Sequence, residues 1–254
     1  MVESAEGRTW DRISELYQGD EASVRRNFRF LTVVCEPVEL DIDAVKASVQ
    51  RSRKLIKKLR LAHPGVWFNG AFDFEIVDLS RVRDGRHVCR SNAELVEAIL
   101  PSGFMSKYAV NVHFHAVIDL NQLSDSLFKR TLKRTWNTHR LQTRLSPLRS
   151  DKSMRDSITD ICDYLFKNEG NFKFTIRDNL RSKGEKLPDE LMGFLALLYS
   201  SFGNSSYRGL LIYSKSKNYR QQRITNIDTT LRETTSLAAG FLNLFQRNSN
   251  HLQP

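Results

Sequence analysis

Apolar and polar positions change period in a regular order along the chain. Phe28–Cys35 (Phe-Arg-Phe-Leu-Thr-Val-Val-Cys) is β-branched and aromatic, is closed by Pro37, and reads as the first firm strand. Asp41 or Asp43 then caps a helix, and Val45, Val49, Leu55, Ile56 and Leu59 form the apolar stripe that carries it to about Leu61. After a turn at His63-Pro64-Gly65, Val66–Leu79 alternates. Phe72, Phe74 and Ile76 share one face; Asp73, Glu75 and Val77 share the other. An Arg-, Asp- and Gly-rich loop over 81–91 leads into a short helix from Asn92 to Leu100. Tyr108–Leu120 is again a buried-strand pattern. A helix follows over Asp125–Trp136, then a weaker strand over Leu141–Leu148, then a helix from Ile158 to about Asn168 capped by Asp156 or Ser157. This order predicts one sheet with helices packed on it rather than a helical bundle.

The ends read differently. Residues 1–26 are polar, with a short helix near Trp10–Tyr17, and are expected to be a helical or loose lead-in. Residues 173–187 read as a loop, Pro188–Phe202 as an apolar helix, Tyr207–Ser214 as a short strand and Leu237–Phe245 as a last short helix. The expected division is a lead-in over 1–26, a main domain over 27–180 and a mainly helical extension over 185–254. That extension, with Lys215, Lys217, Arg220 and Arg223, either grips DNA or a partner or covers the sheet edge.

Charge sharpens this picture. The 254 residues carry a formal net charge of +10, which points to a polyanionic partner, nucleic acid ahead of an anionic membrane. The cations gather on two of the expected helices. Lys54, Lys57 and Lys58 lie on the first, and Lys129, Arg130, Lys133 and Arg134 on the second. Each group is either a solvated helix face or a phosphate-facing one. Three cysteines without a Cys-x-x-Cys pair suit neither a zinc site nor a disulfide framework. No run is long enough to span a bilayer and the first residues hold no apolar signal segment, so the cytoplasm is the expected compartment.

Two places can carry chemistry. On the strand over Tyr108–Leu120, alternation puts Asn111, His113, His115 and Val117 on one face, where the two histidines sit side by side. Such a pair can ligate one divalent ion, or each ring can be a half-buried histidine bonded to its surroundings. On the helix over Ile158–Asn168, Ile158, Ile161, Cys162, Leu165 and Phe166 form the buried stripe. Tyr164 and Lys167 fall off it, three residues apart, and so place a phenol beside an ammonium.

In this order the motifs resemble those of the HUH endonucleases: the rolling-circle replication initiators, relaxases and related transposases. Phe30-Leu31-Thr32-Val33 is similar to their first motif, His113-Phe114-His115 to the second and Tyr164-Leu165-Phe166-Lys167 to the third, over about residues 25–172. The resemblance implies an α+β fold, a central antiparallel sheet with helices packed on it in a ferredoxin- or RRM-like palm. It implies Mg²⁺ or Mn²⁺ held by His113, His115 and a carboxylate, with Glu75 preferred to Asp73 for its reach. It also implies Tyr164 as nucleophile, a 5′-phosphotyrosine intermediate, and Lys167 as the neighbouring cation. Asn168 stands where two-tyrosine members have a second tyrosine, so a single-tyrosine enzyme is expected. The implied function is replication initiation on single-stranded origin DNA of a plasmid or phage. The alternatives are a single-tyrosine transposase or relaxase and, in another class, a non-catalytic nucleic-acid-binding protein. No G-x-x-x-x-G-K-[ST] occurs, so unwinding is expected to need a host helicase, and extension a host polymerase.

Overall fold

The strand β3 (Tyr108–Asp119) is paired along both edges, and described helices pack on the two faces of the sheet it centres. In a computed structural model the described residues are 2–83, 90–136, 142–165, 171–172, 185–203 and 210–214, all within the unit Met1–Ser214. The expected helix over Leu237–Phe245 and the rest of the extension beyond Ser214 lie outside them.

β1 (Phe28–Val34) runs antiparallel to β3, with Thr32 opposite His115. β2 (Trp67–Asp78) runs antiparallel along the other edge, with Asp73 opposite His113 and Glu75 opposite Asn111. β4 (Thr143–Pro147) extends the sheet beyond β1, β5 (Asn171–Phe172) and β6 (Glu185–Lys186) pair as a separate two-stranded sheet, and the short β7 (Leu211–Tyr213) extends the main sheet beyond β2, giving the order β4-β1-β3-β2-β7. The fold is therefore α+β with an antiparallel sheet. The connectivity is two interleaved β-α-β units, each split by a strand of the other. Gly70 faces Ala116 across β2 and β3, where an added Cβ would lie 2.6 Å from the Ala116 Cβ. A side chain at that position would push the strands apart.

One face of the sheet is apolar. Val110, Val112, Phe114, Ala116 and Ile118 of β3 are buried there with Leu31 and Val33 of β1. After the short α2 (Glu21–Asn27), α3 (Ile42–Ala62), capped by the Asp41 carboxylate accepting from Ala44 N at 2.7 Å, covers this face together with α6 (Asp125–Trp136), which follows α4 (Leu79–Arg83) and α5 (Arg90–Ile99). Val45, Val49, Ile56 and Leu59 of α3 and Phe128 and Leu132 of α6 complete the core. His63, just past α3, joins the two helices through Nε2 to Thr131 Oγ1 at 2.9 Å. The apolar helix α8 (Asp189–Ser200) adds Leu191, Leu195 and Leu198 to the same core.

The other face is polar and is covered by α1 (Val2–Tyr17) and α7 (Met154–Tyr164). Residues 2–17, expected as a lead-in, are a sixteen-residue helix with Ala5, Thr9, Arg12 and Ile13 buried. Arg12 Nη2 lies 2.8 Å from Asp119 Oδ2, and the Tyr17 hydroxyl donates to Asp119 Oδ1 at 2.7 Å. The Asn69 side chain donates to the Ala5 carbonyl at 2.7 Å. Thr159 of α7 donates to Glu6 of α1 at 2.8 Å. Cys162 is buried against this pair, which pushes its thiol up to about 12, and burial pushes Cys35 up to about 11, so both act as packing groups. No described helix is long and apolar enough to cross a membrane.

Two outcomes are expected. Asp119→Ala leaves the Arg12 guanidinium buried without its carboxylate, and urea unfolding should show a loss of about 3–5 kcal/mol. Burial, and then the charge of Arg134, lower the His63 pKa, so the folded state resists a proton that the unfolded chain accepts. That contribution is complete above the ordinary histidine value of about 6.5 and is lost as the pH falls below it. The urea midpoint of wild type should therefore drop between pH 7.5 and 5.5 more than that of His63→Gln.

Candidate active site

The histidines come from the polar face of β3. His113 is partly exposed, while His115, two residues on, is 1% exposed. Their ring centroids are 5.6 Å apart. The sequence pattern suggested a face free to line a cleft; α1 and α7 instead cover part of it, burying His115 and leaving His113 partly exposed.

The first motif explains how His115 is held. Phe30 and Thr32 of β1 share its face through the β1–β3 register. Phe30 stacks parallel on the His115 ring at 5.8 Å, and Thr32 Oγ1 lies 3.2 Å from His115 Nδ1. A hydroxyl at Nδ1 fixes the ring and leaves Nε2 as the nitrogen directed to chemistry. Neither role is visible in the local sequence. Each follows from pairing two strands separated by most of the domain.

The register separates the two candidate carboxylates. Asp73 stands opposite His113 but accepts hydrogen bonds from the Phe74 N–H at 2.8 Å and the Tyr199 hydroxyl at 2.9 Å. Glu75 stands one pair further on, yet its longer side chain brings Oε2 to 3.4 Å from His113 Nε2. Tyr199 reaches Asp73 from the end of α8, a region the sequence placed in the extension.

Tyr164 arrives from the last turn of α7. That helix begins a turn earlier than the sequence suggests, because Ser153 and not Asp156 or Ser157 is its cap. The Ser153 hydroxyl accepts from Asp156 N at 3.0 Å and donates to its carboxylate at 2.7 Å. Ser157 then falls inside the helix, fully buried, and donates to the Ser153 carbonyl at 2.9 Å. Ile158, Cys162 and Leu165 are buried as the stripe requires, which turns Tyr164 outward at 41% exposure. Its ring meets His115 edge-on at 5.0 Å and Phe30 edge-on at 5.6 Å. Lys167 and Phe166 lie outside the described residues. Arg144 of β4 stands opposite Thr32 and so shares this face as an exposed cation.

The structure thus gathers His113, His115, Glu75 and Tyr164. It does not bring the helix cations to them. Lys54, Lys57 and Lys58 on α3, and Lys129, Arg130, Lys133 and Arg134 on α6, are exposed on the layer behind the opposite face of the sheet.

Among the described residues, no three His, Cys, Asp or Glu side chains are arranged to hold a metal ion together. The donor types and the one close pair still suit a divalent ion. Two ligands each about 2.1 Å from one ion lie roughly 3.0–3.4 Å apart, and the His113–Glu75 separation of 3.4 Å meets that. Asn111 shares the face, stands opposite Glu75 and is 3% exposed, and its Oδ1 has no hydrogen-bond partner among the described residues. A buried acceptor so placed suits an ion or the water around one. The chain matches no protein-family model, no curated protein and no solved structure.

Thr32→Val removes the hydroxyl at His115 Nδ1 and keeps the side-chain shape. It is expected to cost about 1 kcal/mol and to shift the His115 tautomer balance in ¹⁵N NMR. An unchanged imidazole spectrum would show that Thr32 does not orient the ring.

Proposed function

We propose that this chain is a metal-dependent DNA strand transferase of the HUH kind. In this reading it is a replication initiator that nicks and rejoins single-stranded origin DNA to start rolling-circle replication of a plasmid or phage. One observation carries the reading: a half-exposed tyrosine, from a separate helix, stands edge-on to the buried member of a histidine pair, 5.0 Å between ring centroids.

The Tyr164 oxygen attacks the scissile phosphorus. The bond from phosphorus to the 3′ oxygen breaks, the phenol gives up its proton and the leaving oxygen takes one up. The products are a free 3′-hydroxyl and a 5′-phosphate ester on Tyr164. α7 fixes the Tyr164 backbone through its buried stripe, and Phe30 limits the ring from the side, so the nucleophile is positioned before substrate arrives. His113, His115 and Glu75 would hold Mg²⁺ or Mn²⁺, which supplies positive charge to the scissile phosphate. Thr32 orients His115 for that task. Arg144 adds a cation on the same face, in the region where a phosphate chain would run. Lys167 is the cation that the resemblance assigns to this step. The phosphodiester energy stays in the tyrosyl ester, so attack by a 3′-hydroxyl rejoins the strand without ATP. A host helicase and polymerase complete the cycle in the cytoplasm.

Full-length protein incubated with end-labelled single-stranded origin DNA and Mn²⁺ is expected to give a covalent adduct on a denaturing gel. Tyr164→Phe should reduce it to background, and so should chelation of the metal. Equal adduct from wild type and Tyr164→Phe would overturn the reading.

A further inference from the structure

The helix layer behind the sheet has a surface of its own. From Ala44 to the end of α3, and from Ser126 to the end of α6, every Asp, Glu, Lys or Arg position holds a cation. The two helices lie side by side, tied by the His63–Thr131 bond and by His63 against Phe128 at 5.8 Å between rings. Arg134 sits near enough to help lower the His63 pKa, so the cations of α6 close on the end of α3. The His63–Thr131 bond therefore holds like charges together at this junction. Cations near the C-terminal end of a helix offset its dipole, but that need is met within the last turn. Arg51 and Lys54 lie further in, and on α6 the run starts at Lys129, in the second turn.

The chemistry of the two sheet sides differs. The exposed aromatic rings among the described residues, Tyr164 and Tyr213, belong to the polar face or to the strand beside it. The large exposed apolar residues of α3 and α6 are Leu61 and Leu127, and neither helix exposes an aromatic ring. Single strands are held by rings on which bases stack. A surface of ammonium and guanidinium groups without rings suits phosphates whose bases are already paired.

We infer that the outer face of α3 and α6 is a docking surface for duplex DNA, binding its phosphates without reading bases, on the side of the sheet away from Tyr164. Chain and duplex are held together there while a single strand is handled on the other side. The inference does not require Tyr164 to cut DNA, although the two together would keep a nicked strand near its parent duplex.

The test uses full-length protein and a labelled mixed-sequence 20-bp duplex, read by fluorescence anisotropy in EDTA across a salt series. The variant is Lys54→Gln/Lys58→Gln/Lys129→Gln/Lys133→Gln, and its thermal melt is compared with wild type. Binding is expected to weaken at least tenfold, and the slope of log affinity against log salt should fall by up to about 3.6, at roughly 0.9 for each phosphate no longer neutralised. Arg130→Gln/Arg134→Gln, a smaller change, should give about half that drop in slope. Adduct formation on a short single strand should be unchanged in both. Duplex affinity and salt slope equal to wild type would overturn the inference. So would a loss confined to vesicles of anionic phospholipid with no duplex binding by wild type. Duplex binding without any Tyr164 adduct would keep this surface and remove the strand-transfer reading alone.

Discussion

The constraint on which everything depends is the two-fold period of β3. A strand paired on both edges has no freedom in the plane of the sheet, so its residues can differ only by face. Val110, Val112, Phe114, Ala116 and Ile118 fill the core on one side. Asn111, His113, His115, Val117 and Asp119 look to the other. A slip of one residue would exchange these sets, burying two imidazoles and a carboxylate in the apolar core. The Arg12–Asp119–Tyr17 cluster locks one end of the strand, and Thr32 with His115 locks its middle. The histidines are as fixed as the core is.

That fixity divides the labour among elements. Strands place the groups that need a set separation: His113, His115, Glu75, Asp73 and Thr32. A helix end carries the tyrosine, whose backbone is held by one buried stripe and whose ring lies against Phe30 and His115. Arrays of exposed cations, which need no fixed separation from one another, are left to the helices behind. Each kind of element carries the kind of group whose tolerance it matches.

Much of this could be read in the chain. β1, β2, β3, α3 and α6 follow from strong periodicity and from caps or turns within a few residues, and the histidine pair and Tyr164 follow from the same patterns. What escaped depended on partners far away. α1 looked like a lead-in because its sequence is polar. Its Arg12 is buried only because Asp119, 107 residues later, is waiting for it. Phe30 and Thr32 were legible as a motif but not as the groups that hold His115, since that takes the strand register. In the sequence, reach and the resemblance favour Glu75 over Asp73, but the Tyr199 hydroxyl on Asp73 comes from a helix 126 residues away and is not legible there. The start of α7 is hidden because Ser157 looks like a cap, while Ser153 and Asp156 form the actual one.

The distance between α1 and its partners has a consequence for how the protein comes off the ribosome. α1 is made before the sheet, yet its anchor at Asp119 emerges 102 residues after Tyr17. At synthesis speeds of about 5–20 residues per second, that delay is roughly 5–20 s. During it, α1 lacks the carboxylate that neutralises Arg12, and a short polar helix alone is marginal in water. The nascent chain therefore cannot build outward from α1. The buried contacts of α1 with Asp119 wait for β3, so a segment made early is completed by a carboxylate made about a hundred residues later.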